Sequence, residues 1–396
     1  FEKETDTLDG WFDSGSTHYA AMKKDQGFWP ATVYMEGLDQ YRGWFQSSLL
    51  TAVGAFGKGA PFKECVTHGW TVDGEGKAMH KSAGNGMDPA EVIDKYGADI
   101  LRLWAANTDY HADVRCSHEI FKQLSQNYLK FRNTARYCLG NLDGFDPNHL
   151  TAPGEMEELD RWAVTRLNAL MEKCFAAYDE YEFLAATHAV NDFCVVDMSN
   201  FYLDVIKDRL YCDEKDGAPR RSAQTALYLI LDAMTRIMAP ILCFTCDEIW
   251  QAMAHREGDD GRNVLFNDMH QPFTDYALDG AAMERWAVIE ALRDKVNAAL
   301  EAARSEKKIG KSLEAAVTLT VTEAEGWLAE TPNLADLLIV SQATVQTGSE
   351  EAVEVRKAEG GKCERCWKVL GSVGSDAEHP TLCPRCAAAV RNLPQF

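Results

Sequence analysis

Near the end of the chain, Cys363 and Cys366 are followed, after sixteen intervening residues, by Cys383 and Cys386. Each Cys-x-x-Cys knuckle presents two thiolates together, and two knuckles at this spacing suit one tetrahedral zinc ion. Four protein ligands leave the ion no open position, so the expected role is structural and a zinc-dependent hydrolase is disfavoured. A pair of disulfides is the alternative. The other eight of the twelve cysteines are scattered through ordinary stretches, a pattern that favours reduced thiols. Arg365, Lys368 and Arg385 beside the ligands are read either as phosphate contacts or as solvated surface charge. A second Cys-x-x-Cys, Cys243 and Cys246, lies in the apolar run Ile241 to Trp250 with no partner pair nearby, and is read as buried thiols.

Further upstream, Val72-Asp-Gly-Glu-Gly-Lys-Ala-Met-His-Lys-Ser-Ala-Gly-Asn85 reads as a strand running into a glycine-rich mobile loop. Lys77, Lys81 and Ser82 on such a loop could hold a polyphosphate while it reacts; an ordinary basic turn is the competing reading. Gly310-Lys311-Ser312 is not a phosphate loop, because Ser305 stands where the first glycine is required and the preceding segment is helical. Two aromatic and acidic clusters, Gly10 to Ser16 and Tyr34 to Gln46, could form a ligand pocket. Tryptophan walls suit a branched aliphatic group, and Glu36, Asp39 and Gln40 can accept hydrogen bonds from an ammonium or hydroxyl. Trp11 and Trp44 could equally be core packing.

The elements that must carry these groups follow from hydrophobic period. Ala31 to Gly37 and Cys65 to Val72 have strand length and β-branched content, so the first ~110 residues read as α/β. Asp88-Pro89 offers a helix cap with proline at the first position, and the helix is expected to continue into Ile100 to Trp104. From Ser117 to Met253 the pattern is helical. Leu159, Trp162, Ala163, Leu167, Leu170, Cys174 and Tyr178 share one face, breaks fall at Gly144 to Pro147 and Asp213 to Pro219, and Pro240 kinks or divides a helix. Ala282 to Arg304 is expected to be helical. Leu313 to Val321 and Leu337 to Val345 read as strands flanking a helical Trp327 to Leu334, and Gly348 to Gly361 as a linker. No apolar run approaches the ~20 residues of a membrane helix. The net charge of −21 excludes bulk electrostatic coating of nucleic acid, so any such contact must be local.

Read together, the segments Trp-Phe-Asp-Ser-Gly, Asp-Gln-Tyr-Arg-Gly-Trp-Phe-Gln-Ser-Ser-Leu-Leu, Gly97-Ala-Asp-Ile-Leu-Arg-Leu-Trp104, Tyr202 to Tyr211, Arg220 to Thr225 and the final Lys-Cys-x-x-Cys-Trp resemble the class I aminoacyl-tRNA synthetases. Within them, the chain is similar to isoleucyl enzymes of bacterial type. Their Lys-Met-Ser-Lys-Ser loop is matched by Ala78-Met79-His80-Lys81-Ser82, with Ala78 and His80 departing from the pattern and Lys77 one place earlier. In the pocket segment Leu38 and Tyr41 depart from the more usual serine and histidine. Valyl or leucyl enzymes, and a non-catalytic tRNA-binding module, are the alternatives.

The resemblance implies a multidomain protein. The second half of a Rossmann-type α/β catalytic domain, with the signature loop and the start of a stem-contact region, falls in 1–116; a helical anticodon-binding domain in 117–280; a small α+β junction domain in 281–347; a linker and four-cysteine zinc-binding tail in 348–396. It implies ligation of isoleucine to tRNA(Ile) through isoleucyl-adenylate, with ATP and magnesium as substrate, one structural zinc, a cytoplasmic location and a monomer. Glu36, Gly37, Asp39 and Gln40 are implied to edge the adenylate pocket, Trp11 and Trp44 to wall the isoleucine side chain, residues 78–82 to bind ATP, and Lys81 to be catalytic. All ten histidines lack the His-x-Gly-His spacing with which the family grips ATP. That motif and the editing domain are expected to lie outside this chain, which is therefore expected to be inactive alone. One methylene separates isoleucine from valine, so accurate charging needs a second, hydrolytic site.

Overall fold

The β-branched and aromatic residues of Ala31–Gly37 form strand β1, which pairs in parallel with β2 (Phe62–His68) in the register Ala31 to Phe62 and Gly37 to His68. A second parallel pair joins β3 (Thr71–Val72) to β4 (Val114–Arg115). The computed structural model describes residues 2–26, 28–55, 57 and 59–392, without the side chains of 23–26 and 81. The chain divides into two compact units, Phe1–Ser125 and Gln126–Phe396.

In the first unit, α1 (Gly10–Gly15) packs on α2 (Trp44–Leu50), and Asp88 caps α3 (Pro89–Tyr96) through a bond from Ala90 N–H, as its Asp-Pro start predicts. The expected continuous helix is interrupted. Gly97 has φ 93°, which only glycine adopts readily, and α4 (Ala98–Ala106) starts afresh beyond it. The helix α5 (His118–Asn141) runs from this unit into the second.

The second unit is a helical bundle joined to a small sheet. α6 (Glu158–Asp179) buries Leu159, Trp162, Ala163, Leu167, Leu170 and Cys174 on one face, each large side chain contributing roughly 1.5–3 kcal/mol. α7 (Phe183–Asp192) continues through a wider turn of helix into α8 (Leu203–Val205) and α9 (Lys207–Cys212). α10 (Ala218–Met238) is buried without a break from Ser222 to Met238, which makes it the central element. Pro240 divides it from α11 (Cys243–Ala252) as expected. Cys246 is buried and Cys243 partly so, with neither in a disulfide.

After α12 (Gly280–Ser305) comes a sheet of order β6-β5-β7, with β5 (Ala315–Val321) parallel to β6 (Gln342–Thr347) and antiparallel to β7 (Ala352–Lys357). Two expectations hold only in part: the strand expected from Leu337 to Val345 begins at Gln342. Leu337, Leu338 and Val340 are buried, but they belong to α13 (Leu334–Leu337) and the turn after it, because a short apolar run does not distinguish helix from strand. The expected linker contains β7, which sets Val353 and Val355 opposite Leu319 and Val317. A last hairpin, β8 (Gly361–Lys362) with β9 (Val369–Leu370), leads to α14 (Pro384–Arg391). No helix among the described residues is long and apolar enough to cross a membrane.

Buried charges tie the helices together. The Asp160 side chain, fully buried on α6, accepts from both terminal nitrogens of Arg209 (2.9 and 2.8 Å), from Tyr202 Oη (2.8 Å) and from Ser222 Oγ. Farther along α10, Asp232 accepts from Arg236 Nε and His270 Nε2, each at 2.7 Å. Burial raises the Asp232 carboxyl, yet His270 and Arg236 outweigh it and hold it below the usual value.

Removing one partner from a buried pair leaves an uncompensated charge. Asp160→Ala is therefore expected to destabilise the helical unit by about 3–5 kcal/mol, read from denaturant unfolding. The Asp232 contribution is complete above the ordinary aspartate value of about 3.9 and is lost as pH falls through its lower folded value. Asp232→Asn is expected to lower the melting temperature at neutral pH and to flatten the acid limb of the stability profile, measured by thermal melts across acid pH.

Candidate functional site

Glu36 and Gly37 end β1 beside Thr67 and His68 at the end of β2, so they lie at the carboxyl edge of a parallel pair, where open α/β sheets bind ligands. Gly37 is a position of close approach: a Cβ there would stand 2.9 Å from Asp39 Oδ1. Leu38–Arg42 forms a tight turn in which Gln40 donates to Asp39 at 3.3 Å and accepts the Trp44 N–H at 3.0 Å, satisfying the first turn of α2. Trp11, 45% exposed, lies against Gly43, where a Cβ would meet its ring at 3.3 Å. Trp44 donates from Nε1 to Ser14 O at 2.9 Å and stacks on Tyr34 with ring centroids 4.3 Å apart. Tyr34 is itself buried and bonded to Ser48. Asp39, Gln40 and Trp44 are thus joined by hydrogen bonds, Gly37 lies close to Asp39 and Trp11 against Gly43, and Glu36 is adjacent in the strand and exposed.

The turn after β3 is braced rather than loose. Asp73 accepts the N–H groups of Glu75 and Lys77, each at 2.9 Å, and Ala78 bridges back to Val72. Asn85 donates to Asp73 Oδ2 (2.8 Å) and Ala78 O (3.1 Å) while its own carbonyl takes the His80 N–H (3.0 Å). The bond from Asn85 is the largest influence holding the Asp73 carboxyl below its usual value. Lys77 pairs with Glu75 at 2.6 Å on an exposed face, a pair that water screens. Met79 is partly buried and Ser82 exposed. Lys81 begins a short helical turn with Ser82 and Ala83, and its side chain lies outside the described residues. Among described residues, no hydrogen bond or ion pair joins this turn to the Glu36–Trp44 segment. Sequence reasoning gave Asp73 and Asn85 no role, although Asp-Gly is a turn signal in its own right.

Cys363, Cys366, Cys383 and Cys386 converge, all buried, with their sulfurs within 4.8 Å of one another. A zinc–sulfur distance of about 2.3 Å implies sulfurs about 3.8 Å apart in a tetrahedron, and Cys366 and Cys383 stand at 3.9 Å. The residues therefore fit a structural zinc. Burial raises the Cys363 thiol, but backbone N–H groups of Cys366, Cys383 and Arg365 outweigh it and bring it to about 6. Trp367 turns the first knuckle with φ 65°.

The flanking cations are engaged within the fold. Arg385 forms a two-bonded pair with Asp208 at 2.6 and 2.7 Å, Lys368 bridges Asp208 at 3.2 Å and Asp336, and Arg365 donates to the carbonyls of Tyr211 and Cys212. Burial raises Asp208, yet Arg385 and Lys368 hold it below the usual range. These groups fasten the metal module to α9, so they are not simply solvated surface charge. Cys212 at the end of α9 packs into the same sulfur cluster. Spacing between knuckles carried no signal for Asp208, whose partners lie far away in sequence. Gly310 and Lys311 offer no phosphate cradle either, because Glu314 takes both N–H groups.

Comparison with known proteins agrees with this geometry. The model of class I tRNA synthetases for isoleucine, leucine, methionine and valine matches residues 1–117, that of the anticodon-binding domain of tRNA ligases matches 160–319, and that of the zinc finger found in FPG and IleRS matches 360–389. Isoleucine–tRNA ligases of Caldanaerobacter subterraneus, Geobacter sulfurreducens and Syntrophotalea carbinolica are 47%, 48% and 49% identical over 98%, 99% and 98% of this chain. The chain spans 43% of the length of each. Among solved structures, the LeuRS–tRNA–LeuAMS ternary complex of Agrobacterium radiobacter K84 shares the fold, with a TM-score of 0.53, 17% identity, and coverage of 82% of this chain and 36% of that one. The parallel-strand edge, the helical bundle and the four-cysteine centre, in this order and at this identity, make the chain a member of the class I aminoacyl-tRNA synthetases, in their isoleucyl branch.

Proposed function

We propose that the chain supplies one half of an adenylate-forming site, together with the tRNA-binding apparatus, of a cytoplasmic, monomeric isoleucine–tRNA ligase. Isoleucine and ATP with magnesium give isoleucyl-adenylate and pyrophosphate, and the acyl group then passes to the terminal ribose of tRNA(Ile). The observation that carries this reading is identity of 47–49% to isoleucine–tRNA ligases along 98–99% of the chain. In it, 1–116 holds catalytic residues, 117–280 faces the anticodon, 281–347 is a junction, and 348–396 is the zinc-bearing tail.

Glu36 and Gly37 would receive the adenylate at the strand edge, with Asp39 and Gln40 beside them. Because the Gln40 carbonyl accepts the Trp44 N–H and one amide hydrogen goes to Asp39, its second amide hydrogen is the one left for a ligand. One face of Trp44 is taken by Tyr34, so the opposite face, with Trp11, would wall the isoleucine side chain. Residues Ala78, Met79, His80, Lys81 and Ser82 would lie along the ATP phosphates. Lys81 would offset the charge that grows there as the carboxylate attacks, a task needing a fixed cation and no proton transfer. The Asp73–Asn85 brace supports that role by fixing the turn before the reaction begins. Zinc held by Cys363, Cys366, Cys383 and Cys386 would maintain the fold of the tail and take no part in chemistry.

Lys81→Ala in a full-length enzyme is expected to lower isoleucine-dependent pyrophosphate exchange by a factor on the order of 10²–10³, the scale for one lost transition-state stabiliser. A loss confined to isoleucine affinity would contradict the role. The 396-residue chain alone should give no exchange above the same variant while still binding tRNA(Ile); exchange by the wild-type chain alone would show that half the site suffices.

Cys383→Ser in the full-length enzyme is expected to lose zinc and to reduce tRNA charging more than exchange. Asp208→Asn should keep the zinc yet reproduce much of the charging defect, because the module stays folded but loses its anchor on α9. Metal content measured with both assays separates the two, and retained zinc in Cys383→Ser would refute the ligand assignment.

A further inference from the structure

A cavity of about 760 Å³ opens in the second unit, bounded by the start of α6, α8, α9, α12, the segment around α13, and α14. Its volume is that of a small-molecule site. The apolar wall includes Trp286, Trp327, Leu159 and Ile289. Trp286 is fixed, because its Nε1 donates to Glu158 at 2.9 Å and its ring packs on Trp162 at 6.0 Å.

The polar lining is unbalanced, with seven carboxylates against three guanidinium groups. Most of the cations are already committed. Arg209 is engaged by Asp160, Arg385 by Asp208 and Asp213, and Arg285 stands 3.7 Å from Glu158. Asp336 is neutralised by Lys368. Among the described residues, Glu157, Glu214 and Glu330 have no cation within ion-pair distance, and Glu214 accepts only from the neutral amide of Asn392. A concave site with the partly exposed indole of Trp327, the buried Trp286 behind it and exposed carboxylates that lack an ion-pair partner favours positive charge attached to an apolar body. The carboxylates attract the charge, and the Trp327 indole accepts both the cation and the hydrocarbon. An anion, including a phosphate, would meet repulsion, and a neutral apolar molecule would leave the carboxylates unused.

We propose that this cavity is a binding site for a small organic cation with an apolar body, of which an arylalkylammonium is the simplest type. Such an occupant would touch α6, α12 and the zinc-bearing α14 together, and so would hold the metal module and the helical bundle in one arrangement. None of the residues offered for it belongs to the adenylate pocket or to the zinc ligands.

Isothermal calorimetry of the zinc-loaded 396-residue chain with phenethylammonium tests the proposal, with 2-phenylethanol as neutral isostere and 3-phenylpropionate as anionic one. Saturable binding of the ammonium is expected, about tenfold or more tighter than the alcohol, with no binding of the carboxylate. Glu157→Gln with Glu330→Gln should remove most of the ammonium's advantage over the alcohol, and Trp327→Ala should weaken both; circular dichroism and zinc content verify that each variant is folded. Equal affinity for ammonium and alcohol, absence of saturable ammonium binding, or an unchanged advantage in the double variant would each overturn the proposal.

Discussion

The second unit hangs on two adjacent residues of α9. Asp208 and Arg209 project their charges in different directions: Arg209 enters the bundle to meet Asp160, and Asp208 reaches outward to Arg385 and Lys368. Both contacts are at least partly desolvated, where an ion pair is strong only if its geometry is good and its remaining donors and acceptors are filled. Asp160 meets that condition with four bonds and Asp208 with a bidentate arginine and a lysine. A six-residue helix, too short to be stable by itself, is thereby fixed on both sides and becomes the joint between a packed bundle and a metal-organised tail.

This arrangement divides the stabilising tasks by size. The bundle has enough buried apolar surface to order itself around α10, whereas beyond β7 the described residues of the tail have only a hairpin of two-residue strands and one short helix. For so small a module, metal coordination supplies most of the folding free energy. Coordination organises the tail internally but does not orient it, and orientation comes from the charges beside the ligands. The residues of each knuckle therefore do two jobs: sulfur holds the ion while Arg365, Lys368 and Arg385 hold the neighbour.

Much of this was legible in the sequence where a local rule applied. The four cysteines, the Asp88-Pro89 helix start, the buried face of α6 and the division at Pro240 each depend on residues close together in the chain, so spacing alone revealed them. The failures have a common cause. Gly97 breaks a helix whose apolar period runs straight through it; Leu337 to Val340 has the composition of a strand; and β7 looks like a linker because two of its three apolar residues face a sheet that sequence does not display. Likewise the charges near the cysteines were assigned to solvent or phosphate, since nothing local announces a carboxylate more than a hundred and fifty residues away. Around the candidate pocket, the cluster of residues was legible but its internal bonding was not: Gln40 and Trp44 are partly occupied by bonds to each other.

The brace between Asp73 and Asn85 has a consequence for the chemical durability of the signature turn. It depends on one amide nitrogen, which donates to a carboxylate and a carbonyl at once. Asn85 precedes Gly86, the kind of step at which the next backbone nitrogen most readily attacks the side-chain carbonyl and expels ammonia, after which water opens the cyclic imide. An aspartate in its place differs by a single heavy atom, yet it would set carboxylate against carboxylate and turn a clamp into a repulsive spring. The nitrogen that clamps the turn is thus also the group whose loss would open it.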